Sequence, residues 1–133
     1  MSNANIAFVQ SLYAAFGKGD IATLIKGLST DVDWHSGGGA SDYPGFGPRK
    51  GQKQVQEFFK FLADNNDFAH FSPREFYAVE DKVFVLGDYA MTFRKNGRTF
   101  SSDWAHIFTI RGGRVVRFRE FTDTARAEEA WRG

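Results

Sequence analysis

Two turn signals in the second half of the chain constrain its fold more than any other feature. Asn96-Gly97 is a strong two-residue hairpin signal, and Arg111-Gly112-Gly113 marks a second turn. Around them lie runs rich in Val, Ile, Phe, Tyr, Trp and Thr at 76–79, 83–94, 99–110 and 115–121. Glu80-Asp81 supplies a tight turn between the first two runs. Strands joined this closely can only run antiparallel, since a parallel crossover needs a dozen or more residues.

The first half has a different period. Ile6, Val9, Tyr13 and Phe16 recur at helical spacing, with Phe8 and Leu12 widening the stripe, and Gly17 and Gly19 end it. Asp20 caps a short second helix with Ile21, Leu24, Ile25 and Leu28 on its apolar side. Residues 32–35 read as a short strand, and 36–51 as a long loop. Tyr43 and Phe46 among that loop's glycines suggest a flap with apolar contacts. A third helix follows, with Val55, Phe58, Phe59 and Leu62 on one face, and Asp123 caps a short last helix over 124–131. This order predicts an α+β fold in a single domain, 1–133, with helices on one face of a curved antiparallel sheet.

The chain has 133 residues and carries 15 Phe, 4 Tyr and 3 Trp, 17% aromatic, which points to an aromatic-lined cavity or simply to a Phe-rich core. It has no cysteine, which excludes disulfides, thiol catalysis and thiolate metal sites. His35, His70 and His106 have no metal-ligand spacing, so no metal is expected. A net charge of +1 exerts no global pull toward nucleic acid or anionic lipid, and the basic residues of the last strands read as turn tips and an outward face. No apolar run is long enough to span a membrane, and Met1–Asn5 has no basic start followed by an apolar stretch. A cytoplasmic protein is therefore expected.

Register decides which side chains share a face. A two-residue turn at Asn96-Gly97 pairs Phe93 with Phe100, Met91 with Ser102 and Tyr89 with Trp104. At the second hairpin, a strict turn at Gly112-Gly113 pairs His106 with Arg119 and turns Arg117 and Arg119 toward Trp104. A bulged turn pairs Ile110 with Arg114, Phe108 with Val116, His106 with Phe118 and Trp104 with Glu120. The bulged register is preferred, because burying one carboxylate costs less than burying two arginines. It sets Glu120 diagonally beside His106 among aromatic rings. Such a pair can take and return a proton at a small apolar substrate, or can be a buried hydrogen bond that only ties the sheet. The opposite face carries Phe84, Leu86, Ala90, Ala105, Ile107 and Phe121 with no helix left to cover it, which predicts a homodimer through the outer sheet face.

Four stretches carry a family resemblance: residues 12–20 (Leu-Tyr-Ala-Ala-Phe-Gly-Lys-Gly-Asp), Gly51 with Val55, Phe58 and Phe59, residues 104–108 (Trp-Ala-His-Ile-Phe), and residues 113–121 (Gly-Arg-Val-Val-Arg-Phe-Arg-Glu-Phe). In this order they resemble the SnoaL-like polyketide cyclases and ketosteroid isomerase-related proteins of the nuclear transport factor 2-like superfamily. The resemblance implies a cone-shaped curved antiparallel sheet with three helices enclosing an apolar pocket, and chemistry without a cofactor. Ketosteroid isomerases use a tyrosine, an aspartate base and an aspartic acid donor. The matching positions here hold Leu12, Trp34 and His106, and Tyr13, one residue on, is expected to face elsewhere. The acid/base aspartate of SnoaL-type cyclases is matched by Glu120.

The resulting expectation is a cofactor-free isomerase or cyclase acting on an apolar carbonyl or enol compound. Glu120 and His106 are its catalytic pair. Trp34, Trp104, Phe118, Tyr89, Met91, Phe59 and Leu62 line the pocket, with Tyr43 and Phe46 on the flap. The alternatives are a module that binds a hydrophobic ligand without turnover, or a protein-interaction module of the same fold.

Overall fold

A computed structural model of the chain describes residues 2–39 and 41–133, with side-chain surroundings from residue 4 onward. The helical stripe of the first half forms α1 (Ser2–Gly17), which buries Val9, Leu12 and Ala15. Asp20 caps α2 (Ile21–Lys26), its carboxylate accepting from the Thr23 N–H at 3.2 Å. Then come β1 (Leu28–Ser36), β2 (Gly47–Lys50), α3 (Gly51–Asn65), β3 (Asn66–Val79), β4 (Lys82–Phe93), β5 (Thr99–Arg111), β6 (Arg114–Thr122) and α4 (Thr124–Arg132). The strands form one curved, unclosed sheet in the order β2-β1-β6-β5-β4-β3.

The sheet departs from the expected all-antiparallel pattern at one seam. β1 lies parallel to β6, with Trp34 beside Phe118 and Ser36 beside Glu120. Parallel pairing of segments so distant in sequence has no turn to announce it. The long loop also contains a strand, since β2 folds back on β1. β3 is far longer than the 76–79 predicted. Its inward residues Phe68, Phe71, Pro73, Phe76 and Ala78 keep no strict alternation, because register shifts fall between Phe68 and His70 and between Pro73 and Glu75. Pro73 is tolerated there because β3 is an edge strand.

Both predicted hairpin registers are corrected, while the faces they implied are kept except at Val115 and Val116. Across β4 and β5, Met91 meets Phe100, Tyr89 meets Ser102, and Gly87, not Tyr89, faces Trp104. The loop is longer than two residues because Asn96 is drawn to the last helix, donating to the Ala130 carbonyl at 2.9 Å, while the Phe93 N–H bonds the Arg98 carbonyl. A slip of two residues leaves every side chain on its own face. At the second hairpin Gly112 and Gly113 both adopt positive φ (58° and 74°), as a tight two-residue turn demands, and Arg111 pairs with Arg114. The bulge lies beyond the turn, at the step from Ile110–Val115 to Thr109–Arg117. Val115, not Val116, is therefore fully buried, and His106 stands directly opposite Glu120 rather than diagonal to it.

α1, α2 and α3 cover the concave face. The outer face carries exposed Tyr77, Val79, Leu86 and Phe121. Among the described residues, no helix is long and apolar enough to cross a membrane.

Candidate functional site

Between the three helices and the sheet lies an apolar cavity of about 80 Å³. α1 contributes Leu12, Tyr13 and Phe16, α2 contributes Leu24, and α3 contributes Phe58, Phe59 and Leu62. The predicted residues Trp34, Phe118, Tyr89, Met91, Phe59, Leu62, Tyr43 and Phe46 are all in its wall, as are His106 and Glu120. Trp104 is not. With Gly87 opposite it, the indole lies flat against the His106 ring, centroids 3.9 Å apart, and backs the imidazole from outside the cavity.

Tyr43 and Phe46 close the cavity from the segment between β1 and β2. Their rings pack edge to face at 4.8 Å, and Tyr43 also meets Phe61, Phe93 and Trp131. Its hydroxyl accepts from the Asn66 side-chain amide at 2.8 Å. Arg49 holds the segment from beneath, donating to the carbonyls of Pro44 and Gly45 while its guanidinium lies 4.7 Å from the Phe58 ring.

The polar part of the wall is a chain of three side chains. His106 Nε2 and Glu120 Oε2 are 2.8 Å apart, with the two side chains 5% and 12% exposed. On the other edge of the imidazole, His106 Nδ1 is 2.8 Å from the Tyr13 hydroxyl. Tyr13 was expected to face elsewhere because it stands one residue past the ketosteroid-isomerase tyrosine position. Instead the turn of α1 lays its ring nearly parallel to His106, centroids 5.9 Å apart, and delivers the hydroxyl to Nδ1. The missed signal was in the helical stripe, which already placed Tyr13 with Val9 and Phe16 on the core-facing side.

Electrostatics orders the protons along this chain. Burial first, and the nearby Glu120 charge second, hold the Tyr13 hydroxyl well above the usual tyrosine value, so it remains a donor. With Glu120 ionised, Tyr13 donates to Nδ1 and Nε2–H donates to the carboxylate. The reversed tautomer, with Nδ1–H donating to the Tyr13 oxygen, would leave the Tyr13 O–H without an acceptor among the described residues. The arrangement with Tyr13 donating to Nδ1 and Nε2–H donating to the carboxylate therefore pairs every polar group along the chain. The same pair of causes raises Tyr89, whose hydroxyl donates to Thr122 Oγ1 at 2.9 Å. Among the described residues, no three His, Cys, Asp or Glu side chains gather as a metal site.

The SnoaL-like domain family matches the chain over residues 9–118. No curated protein matches it. Among solved structures, an NTF2-like protein from Burkholderia xenovorans LB400 is 25% identical over 98% of this chain and 97% of its own, with a TM-score of 0.88. An NTF2-like protein of unknown function from Burkholderia pseudomallei K96243 is 30% identical over 98% of each chain, with a TM-score of 0.85. TerC, co-crystallised with polyporic acid, is 28% identical over 97% of this chain and 98% of its own, with a TM-score of 0.84.

Proposed function

Since the chain belongs to the SnoaL-like domain family, we propose that it binds a compact apolar carbonyl or enol compound and moves a proton on it with Glu120, without a cofactor. The observation that carries this reading is the Tyr13–His106–Glu120 chain in the wall of an otherwise apolar cavity. The Glu120 carboxylate removes a proton from the carbon next to the carbonyl, and the electron pair of that C–H bond becomes the enolate. Returning the proton to a different carbon completes an isomerisation. Attack of the enolate carbon on a second carbonyl of the same molecule completes a cyclisation, with Glu120 protonating the new alkoxide. His106 holds the carboxylate through Nε2, and Tyr13 fixes the imidazole tautomer through Nδ1. The apolar side chains around the carboxylate exclude water from the reacting carbons.

Size narrows the substrate. With Tyr43 and Phe46 in place, the cavity is about 80 Å³, roughly half the ~150 Å³ that admits benzene in an engineered core. A ligand of benzene's size or larger, cyclohexanone included, requires Tyr43 and Phe46 to move aside. TerC, which was crystallised with an organic ligand, supports a small-molecule role for this cavity.

The outer sheet face is the proposed contact with a second copy. Tyr77, Val79, Leu86 and Phe121 are exposed there, and a two-fold axis lays the same apolar patch of each copy on the other.

The test of the catalytic reading is hydrogen–deuterium exchange at the α-carbons of cyclohexanone in D₂O, followed by NMR. Wild-type protein should accelerate exchange, and Glu120→Gln should reduce that acceleration by about 10²-fold or more, the usual range for a general base, while cyclohexanone still binds. Equal exchange in both proteins with binding retained would leave a ligand-binding module without turnover.

A further inference from the structure

Trp34 stands in the cavity wall, is 5% exposed, and its indole Nε1–H has no hydrogen-bond partner in the protein. An indole nitrogen is a donor only, and a buried donor left unpaired is costly. The side chain is firmly held: its ring stacks on Phe118 with centroids 3.9 Å apart and meets Phe58 and Phe59 at 6.1 and 5.7 Å. Packing therefore explains the ring, and Phe would satisfy it equally. The nitrogen is the part that packing leaves unexplained.

Its position relative to Glu120 is set by the parallel seam. Trp34 lies beside Phe118, and Ser36, two residues along β1, lies beside Glu120. Two residues along and one strand across put the Trp34 and Glu120 backbones ~8 Å apart. That span suits a carbonyl oxygen at the indole and an adjacent C–H at the carboxylate of one small molecule. We infer that Trp34 is the ligand's hydrogen-bond donor: its indole N–H receives the carbonyl oxygen of the compound whose neighbouring C–H faces Glu120. This rests on the reading of the cavity given above and adds the group that holds the oxygen. As charge builds on that oxygen during proton removal, an indole donor strengthens its bond without surrendering its own proton. Among the described residues, Trp104 Nε1 is likewise unpaired, but that indole lies outside the wall, so it provides an internal control.

The experiment is ¹H–¹⁵N NMR of the three indole N–H signals during titration with cyclohexanone, and separately with methylenecyclohexane, which replaces C=O by C=CH₂ at nearly the same shape. Cyclohexanone should move the Trp34 signal downfield, as hydrogen bonding does, with Trp104 and Trp131 unmoved, and methylenecyclohexane should not. In Trp34→Phe the preference for the ketone over the alkene should fall about three- to tenfold, the worth of one net hydrogen bond. The inference is overturned if bound cyclohexanone leaves the Trp34 signal in place, if Trp34→Phe keeps the preference, or if cyclohexanone does not bind. Repeating the titration in Glu120→Gln separates the two readings: a Trp34 shift that persists without any exchange activity in the wild type retires the catalyst and keeps the donor.

Discussion

Gly87→Ala is the substitution whose effect follows most directly from the packing. Gly87 lies mid-strand in β4, paired with Pro73 on one side and Trp104 on the other. A Cβ there would overlap the Ser72 carbonyl oxygen and stand 2.5 and 2.7 Å from Trp104 Cζ2 and Cη2, where ordinary contact begins near 3.4 Å. The Ser72 side of the clash is backbone in a paired strand and yields only if the strand shifts, the Trp104 side is relieved by a retreat of the indole of roughly 1 Å, and overpacking of this kind costs about 1–3 kcal/mol. Urea unfolding should read this as a midpoint lower by about 1 M, given slopes of 1–3 kcal/mol/M for domains of this size. The source of the cost is separable. Trp104→Phe removes Cζ2 and Cη2, so Gly87→Ala should cost less in that background, with a coupling of at least about 0.5 kcal/mol. The indole also backs His106 at 3.9 Å, so the single variant should weaken cyclohexanone exchange as well. Strictly additive costs for the two substitutions would refute a contribution from the indole and leave the whole cost with the Ser72 backbone.

Two further predictions concern the sheet. The Asp33 carboxylate lies below its ordinary value, chiefly because Arg119 donates to it at 3.0 Å. A depressed carboxylate adds stability above its unfolded value near ~3.9 and loses it as pH falls through the folded value. Asp33→Asn should therefore be slightly less stable at pH 7, by under ~1 kcal/mol because the pair is partly exposed, and the difference from wild type should vanish in unfolding curves taken well below pH 4. For the outer face, light scattering should give twice the chain mass for the wild type and the chain mass for Leu86→Glu with unchanged circular dichroism; a wild type that stays at the chain mass when concentrated would reject the dimer.

Much of the candidate site could be read before any coordinates, and the reason is parity. Glu120, His106, Tyr89, Met91 and Phe118 lie on strands whose side chains alternate, so a register wrong by two residues still assigned each to the correct face. The helical stripe likewise named Phe59 and Leu62, and the aromatic residues among the loop glycines identified Tyr43 and Phe46 as the closing segment. Trp104 was misplaced because facing the concave side does not mean reaching the cavity: the missing side chain at Gly87 lets its indole lie flat behind His106.

Sequence alone determined the four helices, the antiparallel run of the last four strands and the apolar character of the enclosed face, all of which depend on local periodicity and turn chemistry. Tertiary structure decided what joins the ends of the chain. The parallel seam of β1 and β6 put Trp34 two strand positions from Glu120's neighbour, α1 brought the Tyr13 hydroxyl to His106, and a bulge past Gly113 turned Glu120 directly onto the imidazole. The parallel seam leaves no local signature, because it is fixed by the packing of segments far apart in sequence.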